Sequence, residues 1–355
     1  MKPKIIKSQN LKPKFEDASK LKFGRTFTDH MLTMKYNPEK GWHDMQIEPH
    51  GNLSLDPACT VLHYGQAIFE GMKAYVSPEG ELLLFRPDQN FARMNSSARR
   101  LSIPEFDADA VMEGLFELVK LEKDWIPKQR GTALYIRPTI IATDDFLGLK
   151  VSDTYLFFII LSPVGPYFAN GMSPISIYVE DEYVRAVKGG TGDAKVAGNY
   201  AASLLATQKA KKNGFDQVLW LDGVEHKYCE EVGAMNMFFV IDNTVVTPAL
   251  SGSILPGITR KSIIQVAKDF GYKVEERAVS IEEVFEAHEK GLLNEAFGAG
   301  TAAVITPVGK LCYKGKTIVV NNNETGEIAQ KFYDRLTGIQ MGLCEDPYGW
   351  SVVVK

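Results

Sequence analysis

Two α+β domains are predicted by three features of the sequence. At 355 residues the chain is long enough for two domains of roughly 100–200 residues and for a core that needs no disulfide or metal staple. Helical spacing of apolar residues and short strand-like runs follow one another in no regular β–α alternation, which favours α+β domains over a doubly wound parallel sheet. Near the middle, the cluster Ser162-Pro163-Val164-Gly165-Pro166 breaks the pattern and suggests a linker running to about Pro174.

Taken in order, helical spacing places Phe91, Met94, Ala98 and Leu101 on one face of Asp88–Leu101, and Val111, Leu115, Leu118 and Val119 on one face of Asp109–Lys123. Strands are predicted at Ala133–Ile141 and Thr154–Leu161, and beyond the break at Ile175–Val179, Val218–Leu221 and Ala234–Ile241. Further helices are predicted at Tyr200–Lys211, Arg260–Phe270 and Ile281–Lys290. The last has a capping box of Ser280 and Glu283, and Gly271 is a natural stop for the helix before it.

Composition narrows the function classes. Forty basic against 44 acidic side chains leave a formal charge of −4, too weak a field to recruit nucleic acid or an anionic membrane. Met1 to Lys14 carries five lysines and no apolar run, so no secretory signal is read there and a cytoplasmic protein is expected. Apolar stretches such as Tyr155–Leu161 and Met237–Ile241 fall far short of the roughly 18 residues of a membrane span. Cys59, Cys229, Cys312 and Cys344 lie far apart without a CxxC pair, which fits neither a disulfide framework nor a zinc cluster. No GxGxxG or P-loop pattern is present.

The most unusual segment is Lys188-Gly189-Gly190-Thr191-Gly192-Asp193-Ala194-Lys195-Val196-Ala197-Gly198-Asn199-Tyr200. Glycines permit positive φ and close backbone approach to a ligand. A lysine among Ala, Val and Gly is either a solvated loop residue or a desolvated amine able to form a Schiff base. Cys229-Glu230-Glu231-Val232-Gly233 runs straight into an apolar strand. A carboxylate there is either a solvated turn residue or a buried charge that needs a cationic or protonated partner. Two segments suit an anion: Leu255-Pro256-Gly257-Ile258-Thr259-Arg260, where a turn opens a helix, and the glycine-rich Gly298-Ala299-Gly300-Thr301-Ala302-Ala303. Arg93, Ser97 and Arg100 share a helix face, either as a solvated stripe or as the matching cations.

A Schiff-base lysine, a buried carboxylate and a phosphate cradle are the parts a pyridoxal-phosphate enzyme needs. The motifs Phe23 to Met31, Phe69-Glu70-Gly71-Met72-Lys73-Ala74, Phe85-Arg86-Pro87, Tyr135-Ile136-Arg137-Pro138, Lys195 to Tyr200, Glu231 to Asn236 and Leu255 to Arg260 occur in order along essentially the whole chain. In them the sequence closely resembles the branched-chain-amino-acid aminotransferases.

That resemblance implies the two-domain fold type IV architecture, α+β, with pyridoxal 5'-phosphate at the domain interface. The expected divisions are a small N-terminal domain over 1–167, a linker over 168–176, and a large C-terminal domain over 177–355 that carries the Schiff-base lysine. It implies Lys195 as the lysine that bonds the cofactor and moves the substrate's proton, Glu231 as partner of the pyridine nitrogen, and Tyr200 as partner of the ring hydroxyl. Arg93, Ile258, Thr259 and Thr301 correspond to phosphate-binding groups. An apolar substrate pocket is implied at Phe27, Tyr64, Phe69, Tyr135 and Tyr167, with Arg137 nearby and the Thr301–Ala302 backbone at the α-carboxylate. The implied reaction is ping-pong transamination between leucine, isoleucine or valine and 2-oxoglutarate, giving glutamate.

Part of the pocket, Tyr64 and the 147–151 loop, would come from a second subunit, so a homodimer is implied, with no nucleic acid, membrane or metal. Two departures from the family stand out. Ala303 and Thr306 occupy the places of a redox-sensitive CxxC found in some members, so that regulation is expected to be absent, and Ala234 stands where relatives often have Thr or Gly. Two other fold type IV activities, D-amino-acid transamination and aminodeoxychorismate lyase, and a non-catalytic cofactor-binding regulator are the alternatives. The Phe27-Thr28-Asp29-His30 segment argues against the first two, and Tyr135, Arg137 and Thr301, which serve substrate, argue against the third.

Overall fold

The computed structural model describes residues 2–167 and 172–355, arranged in two compact units. The first comprises Met1–Ala169, Ala194–Gly198 and Gly338–Lys355, and the second Asn170–Asp193 and Asn199–Thr337.

The first unit is built on a nine-stranded sheet. Its strands are β1 (Lys4–Ile5), β2 (His30–Asn37), β3 (Gly41–Pro49), β4 (Ala67–Phe69), β5 (Met72–Val76), β6 (Leu82–Phe85), β7 (Ala133–Ala142), β8 (Tyr155–Val164) and, from the C-terminal segment, β18 (Ser351–Val353). The order is β1-β3-β2-β8-β7-β5-β6-β18, with β4 also paired to β7. Asn37 makes the turn of the β2–β3 hairpin by accepting the N–H groups of Glu39 and Lys40. Helices α1 (Thr60–Tyr64), α2 (Pro87–Arg100) and α3 (Ala108–Leu121) accompany the sheet. Helix α2 starts with Pro87 in the first turn, where the missing N–H costs nothing. Asp107 caps α3 by accepting from Asp109 and Ala110. Phe91, Met94 and Ala98 of α2 and Val111, Leu115 and Leu118 of α3 join Leu32, Ile136 and Phe157 of the sheet in one core, as the helical spacing predicts.

Strand β8 continues through Ser162 and Pro163, which were expected to begin the linker. Pro163 pairs opposite Leu134 of β7, while β2 pairs with β8 only as far as Ile159. The proline therefore needs no donor on its other edge. Of the expected linker 168–176, positions 168–171 lie outside the described residues and Ile175 already begins a strand.

The second unit also has nine strands: β9 (Ile175–Glu180), β10 (Gln217–Leu221), β11 (Cys229–Val232), β12 (Met235–Ile241), β13 (Thr244–Pro248), β14 (Lys273–Arg277), β15 (Leu293–Gly300), β16 (Val304–Tyr313) and β17 (Lys316–Val319). Strands run β11-β10-β9-β16-β15-β12, and pairing of β11 with β12 closes them into a ring that β13 and β14 extend. The helices are α4 (Ala197–Ala202), α5 (Leu204–Lys212), α6 (Ile258–Asp269), α7 (Ile281–Glu289) and α8 (Glu327–Gln340), α4 beginning and α8 ending in residues of the first unit.

Three expectations are corrected here. The helix predicted at Tyr200–Lys211 is broken at Ser203, whose hydroxyl turns back to the Tyr200 carbonyl while Thr207 bonds that of Ser203. Such back-bonding bends helices. Only half of the capping box forms: Ser280 Oγ accepts from Glu283 N at 3.0 Å, but the Glu283 carboxylate is drawn to Arg277 at 2.5 Å and 3.0 Å. The Glu231 segment does not enter the apolar strand directly. It forms its own short strand, β11, and Gly233 at φ +58° turns the chain into β12.

Candidate active site

Lys195 belongs to the first unit and not to the C-terminal domain expected for it. The reason is backbone pairing: Phe69 N donates to Lys195 O at 3.1 Å, Lys195 N donates to Ser97 Oγ at 2.9 Å, and Val196 bridges to Ile68. The half-buried Lys195 side chain places Nζ 4.9 Å from the centroid of the Phe69 ring. Arg137 lies over the same ring at 4.7 Å and over Tyr135 at 5.2 Å. Its Nη2 donates to the Tyr135 hydroxyl at 3.0 Å, and its buried Nε has no partner among the described residues. Phe23 meets Tyr135 edge-on at 4.8 Å. Gly71 is required beside this group, since a Cβ there would lie 2.0 Å from the Tyr135 oxygen.

Beneath this aromatic group lies an ion pair that the sequence reading did not find. Glu70 is fully buried and binds Arg93 in a two-pronged fork, Nε to Oε1 at 2.7 Å and Nη2 to Oε2 at 2.9 Å. Asn90 Nδ2 and Gly71 N add donors to Oε2 at 2.8 Å and 3.1 Å. Burial alone raises the pKa of this carboxyl, but the charge and hydrogen bonds of Arg93, with the charge of Lys195, hold it below its ordinary value. Arg93 is thus held by a carboxylate as well as being a candidate for anion binding. The other pocket candidates of this unit sit differently. Phe27 stacks on His50 at 5.2 Å. Tyr64 is exposed and donates its hydroxyl to the Leu147 carbonyl. Tyr167 is exposed.

The second unit gathers another group of candidates. Glu231 is buried on β11, where Oε1 accepts Leu255 N at 2.7 Å and lies 3.3 Å from Arg185 Nη2. Arg185, also missed from sequence, is itself buried and donates to the carbonyls of Gly192 and Ser253. One guanidinium therefore ties the glycine-rich loop, the Ser253 turn and Glu231 together. Gly192 cannot carry a side chain, because its Cβ would fall 2.2 Å from Ser253 O. Thr191 and Asn199 exchange two hydrogen bonds of 2.7 Å and so close the neck of the loop on which Lys195 stands.

Gly257 precedes α6 with Asn236 Oδ1 only 1.9 Å from where its Cβ would be, and Asn236 Nδ2 fixes the Leu255 carbonyl at 2.9 Å. Ile258 and Thr259 open this 12-residue helix, whose first N–H groups suit an anion. Thr301 and Ala302 form the turn from β15 to β16, next to Val304 at φ +64°, a strained conformation for a β-branched residue. Tyr200 is half-buried on α4. Among the described residues no group of His, Cys, Asp and Glu is arranged to hold a metal, and no helix is long and apolar enough to cross a membrane.

The first unit thus holds a lysine amine beside aromatic rings, and the second a buried carboxylate held by an arginine and the start of a 12-residue helix. Comparisons with known proteins give the family. Residues 67–311 match the family Amino-transferase class IV, and the chain belongs to it. The probable branched-chain-amino-acid aminotransferase of Staphylococcus epidermidis is 60% identical over 354 residues, covering 99% of this chain and 98% of that protein. The crystal structure of the Escherichia coli branched-chain amino acid aminotransferase is 29% identical, with a TM-score of 0.77 over 92% of this chain and 99% of that one. The T.th. branched-chain amino acid aminotransferase complexed with N-(5'-phosphopyridoxyl)-L-glutamate is 26% identical, with a TM-score of 0.76 over 91% and 98%. The protein is accordingly an aminotransferase of fold type IV, and a pyridoxal-phosphate cofactor is implied.

Proposed function

We propose that this enzyme transfers the amino group of leucine, isoleucine or valine to 2-oxoglutarate, giving the branched 2-oxo acid and glutamate by a ping-pong mechanism, with pyridoxal phosphate as cofactor. The observation that carries this reading is full-length identity of 60% to a protein named for branched-chain substrates. The residues present fit the cofactor. Ile258 and Thr259 open α6 with N–H groups suited to an anion, a buried glutamate stands on β11, and a half-buried lysine amine lies beside the Phe69 ring.

When bound, the cofactor supplies an electrophilic carbonyl and a ring that accepts the charge released at the substrate's α-carbon. Lys195 would hold that carbonyl through Nζ, and its amine would take the α-proton of the substrate and return it. Glu231, with Arg185 3.3 Å away, would hold a proton on the pyridine nitrogen. Tyr200 would donate to the ring hydroxyl. Arg93, Thr301 and the N–H groups of Ile258 and Thr259 would bind the phosphate. The rings of Phe69 and Tyr135, which flank Arg137, would line the aliphatic side chain, and the Thr301–Ala302 backbone would receive the α-carboxylate. Incubating the purified protein with leucine and 2-oxoglutarate should yield glutamate. Turnover with D-amino acids only, or none with any amino acid, would replace this reading by one of the alternatives.

Arg137 is assigned the side-chain carboxylate of glutamate and 2-oxoglutarate. Its guanidinium lies between two rings with Nε unsatisfied, so a donor is available to an anion at little cost. Arg137→Met should slow the half-reactions with glutamate and 2-oxoglutarate by about 10- to 150-fold, the worth of a charge-assisted hydrogen bond, and those with leucine and its oxo acid far less. Stopped-flow rates reduced equally for both pairs would move Arg137 to the α-carboxylate common to all substrates.

Arg93→Ala should weaken cofactor retention by about 10- to 150-fold and also destabilise the chain, because Glu70 is left buried without its cation. Replacing both partners, Glu70→Gln with Arg93→Met, should recover most of the stability but not the cofactor affinity. Urea unfolding and titration of the apoenzyme with pyridoxal phosphate separate the two. Full retention in the double variant would place the phosphate elsewhere.

The smallest active unit is proposed to be a homodimer. Tyr64, Phe146, Leu147, Leu149 and Val151 expose apolar surface in neighbouring segments, and such patches mark interaction surfaces. Sedimentation at a monomer's mass with full activity would overturn it.

A further inference from the structure

Strand β11 carries two consecutive buried glutamates, and the reaction uses only one. Glu230 lines a cavity of about 340 Å³ that lies wholly within the second unit and contains none of the residues assigned to catalysis. Its Oε1 accepts the Ser253 hydroxyl. Its Oε2 is buried and has no partner among the described residues. The Ser253 hydroxyl serves Oε1 and also lies 2.7 Å from that of Ser251. A buried acceptor left bare is costly, and a donor from outside the chain would satisfy it.

The rest of the cavity describes that group. Val224, Pro248, Ala249, Ile254 and Ala278 contribute apolar wall. Asp222 adds a negative charge that cannot be titrated away near neutrality, because four backbone N–H groups (Val224, Glu225, Lys227 and Tyr228) hold its carboxyl down to about 2. Glu225 and Lys188 stand exposed at the rim with opposite charges. The balance of lining charge is negative and the walls are oily, at a volume within the small-molecule range. We propose that this cavity is a second ligand site, taking a small organic cation with N–H donors on a short apolar chain, an alkylammonium or alkylguanidinium, whose donors meet Glu230 Oε2.

Burial pushes the Glu230 carboxyl up to about 7, with the Ser253 hydrogen bond and Arg185 opposing that rise and Glu231 and Asp222 adding to it. The Cys229 thiol, also on the lining, is pushed up by burial. A cation binds the ionised carboxylate. Affinity should therefore rise as pH is raised through about 7 and fall toward tenfold per unit below it. Arg185 also pairs with Glu231, so an occupant gives this cavity an electrostatic route to the site of transamination.

The test uses the cofactor-loaded enzyme and n-butylguanidinium, which lacks the α-carboxylate of a substrate, followed by saturation-transfer NMR and calorimetry at pH 6 and pH 8. The parent should bind more tightly at pH 8, and tetramethylammonium, which has no N–H donor, should not compete. Glu230→Gln should weaken binding about tenfold or more and remove its pH dependence. Val224→Trp, at an exposed position of the cavity mouth, should block the site while leaving leucine turnover unchanged, and it serves if the glutamine variant fails to fold. No binding by the parent would mean that the cavity holds water only. Equal binding by the parent and both variants would place the cation elsewhere. Either result overturns the proposal without touching the transaminase assignment.

Discussion

Lys195→Ala is expected to cut the rate of glutamate formation from leucine and 2-oxoglutarate by at least about 10²- to 10⁴-fold, the range of general acid–base catalysis alone, before any loss of covalent catalysis is counted. The fold should survive. What anchors this segment is its backbone, through Phe69, Ser97 and Ile68, and alanine keeps all of those bonds. The side chain contributes its position over the Phe69 ring and part of the charge that holds Glu70 ionised, and Arg93 remains for the latter. A variant with native unfolding behaviour and retained cofactor but no turnover would isolate the amine as the missing part. Activity within tenfold of the parent would remove Lys195 from the reaction.

The placement of that lysine marks the limit of what could be read from the chain. Helices α2 and α3 were legible because Phe91, Met94 and Ala98, and Val111, Leu115 and Leu118, follow the 3.6-residue period and face a single core. The hairpin His30–Pro49 carried no comparable signal, since β2 is buried on both faces at its start and shows no alternation. Strand β11 is equally opaque: Cys-Glu-Glu-Val has no apolar pattern, and only the Arg185 and Ser253 partners explain why two carboxylates are buried in it. Local periodicity cannot reveal that five residues, Ala194–Gly198, pack with the first unit. Their anchors are about 100 or more residues away in sequence. Glu70 and Arg185 were passed over for the same reason. Each looks like an ordinary surface charge until the distant partner that balances it is in place.

Arg185→Met should therefore have an effect out of proportion to its place in a polar, glycine-flanked segment. Methionine fills much of the volume but removes the donors to Gly192 O and Ser253 O and the charge beside Glu231. Breaking a buried pair from one side costs roughly 3–5 kcal/mol, because the remaining ion is stranded. An exposed pair would cost about 1 kcal/mol or less, and both side chains here are under a tenth exposed, at 7% and 4%. Glu231 can relieve that cost by taking up a proton, but a neutral carboxyl no longer holds a proton on the cofactor's ring by charge, so turnover falls together with stability. Arg185→Lys should recover only part of both, since a single ammonium cannot span two carbonyls and a carboxylate as the planar fork does. The decisive comparison adds Glu231→Gln. If Arg185 acts through Glu231, the double variant should be more stable than Arg185→Met alone and no slower, because the stranded charge is gone and the ring contact is already lost. Strictly additive losses in both unfolding free energy and turnover would show instead that Arg185 serves only to pin the glycine-rich loop to the Ser253 turn.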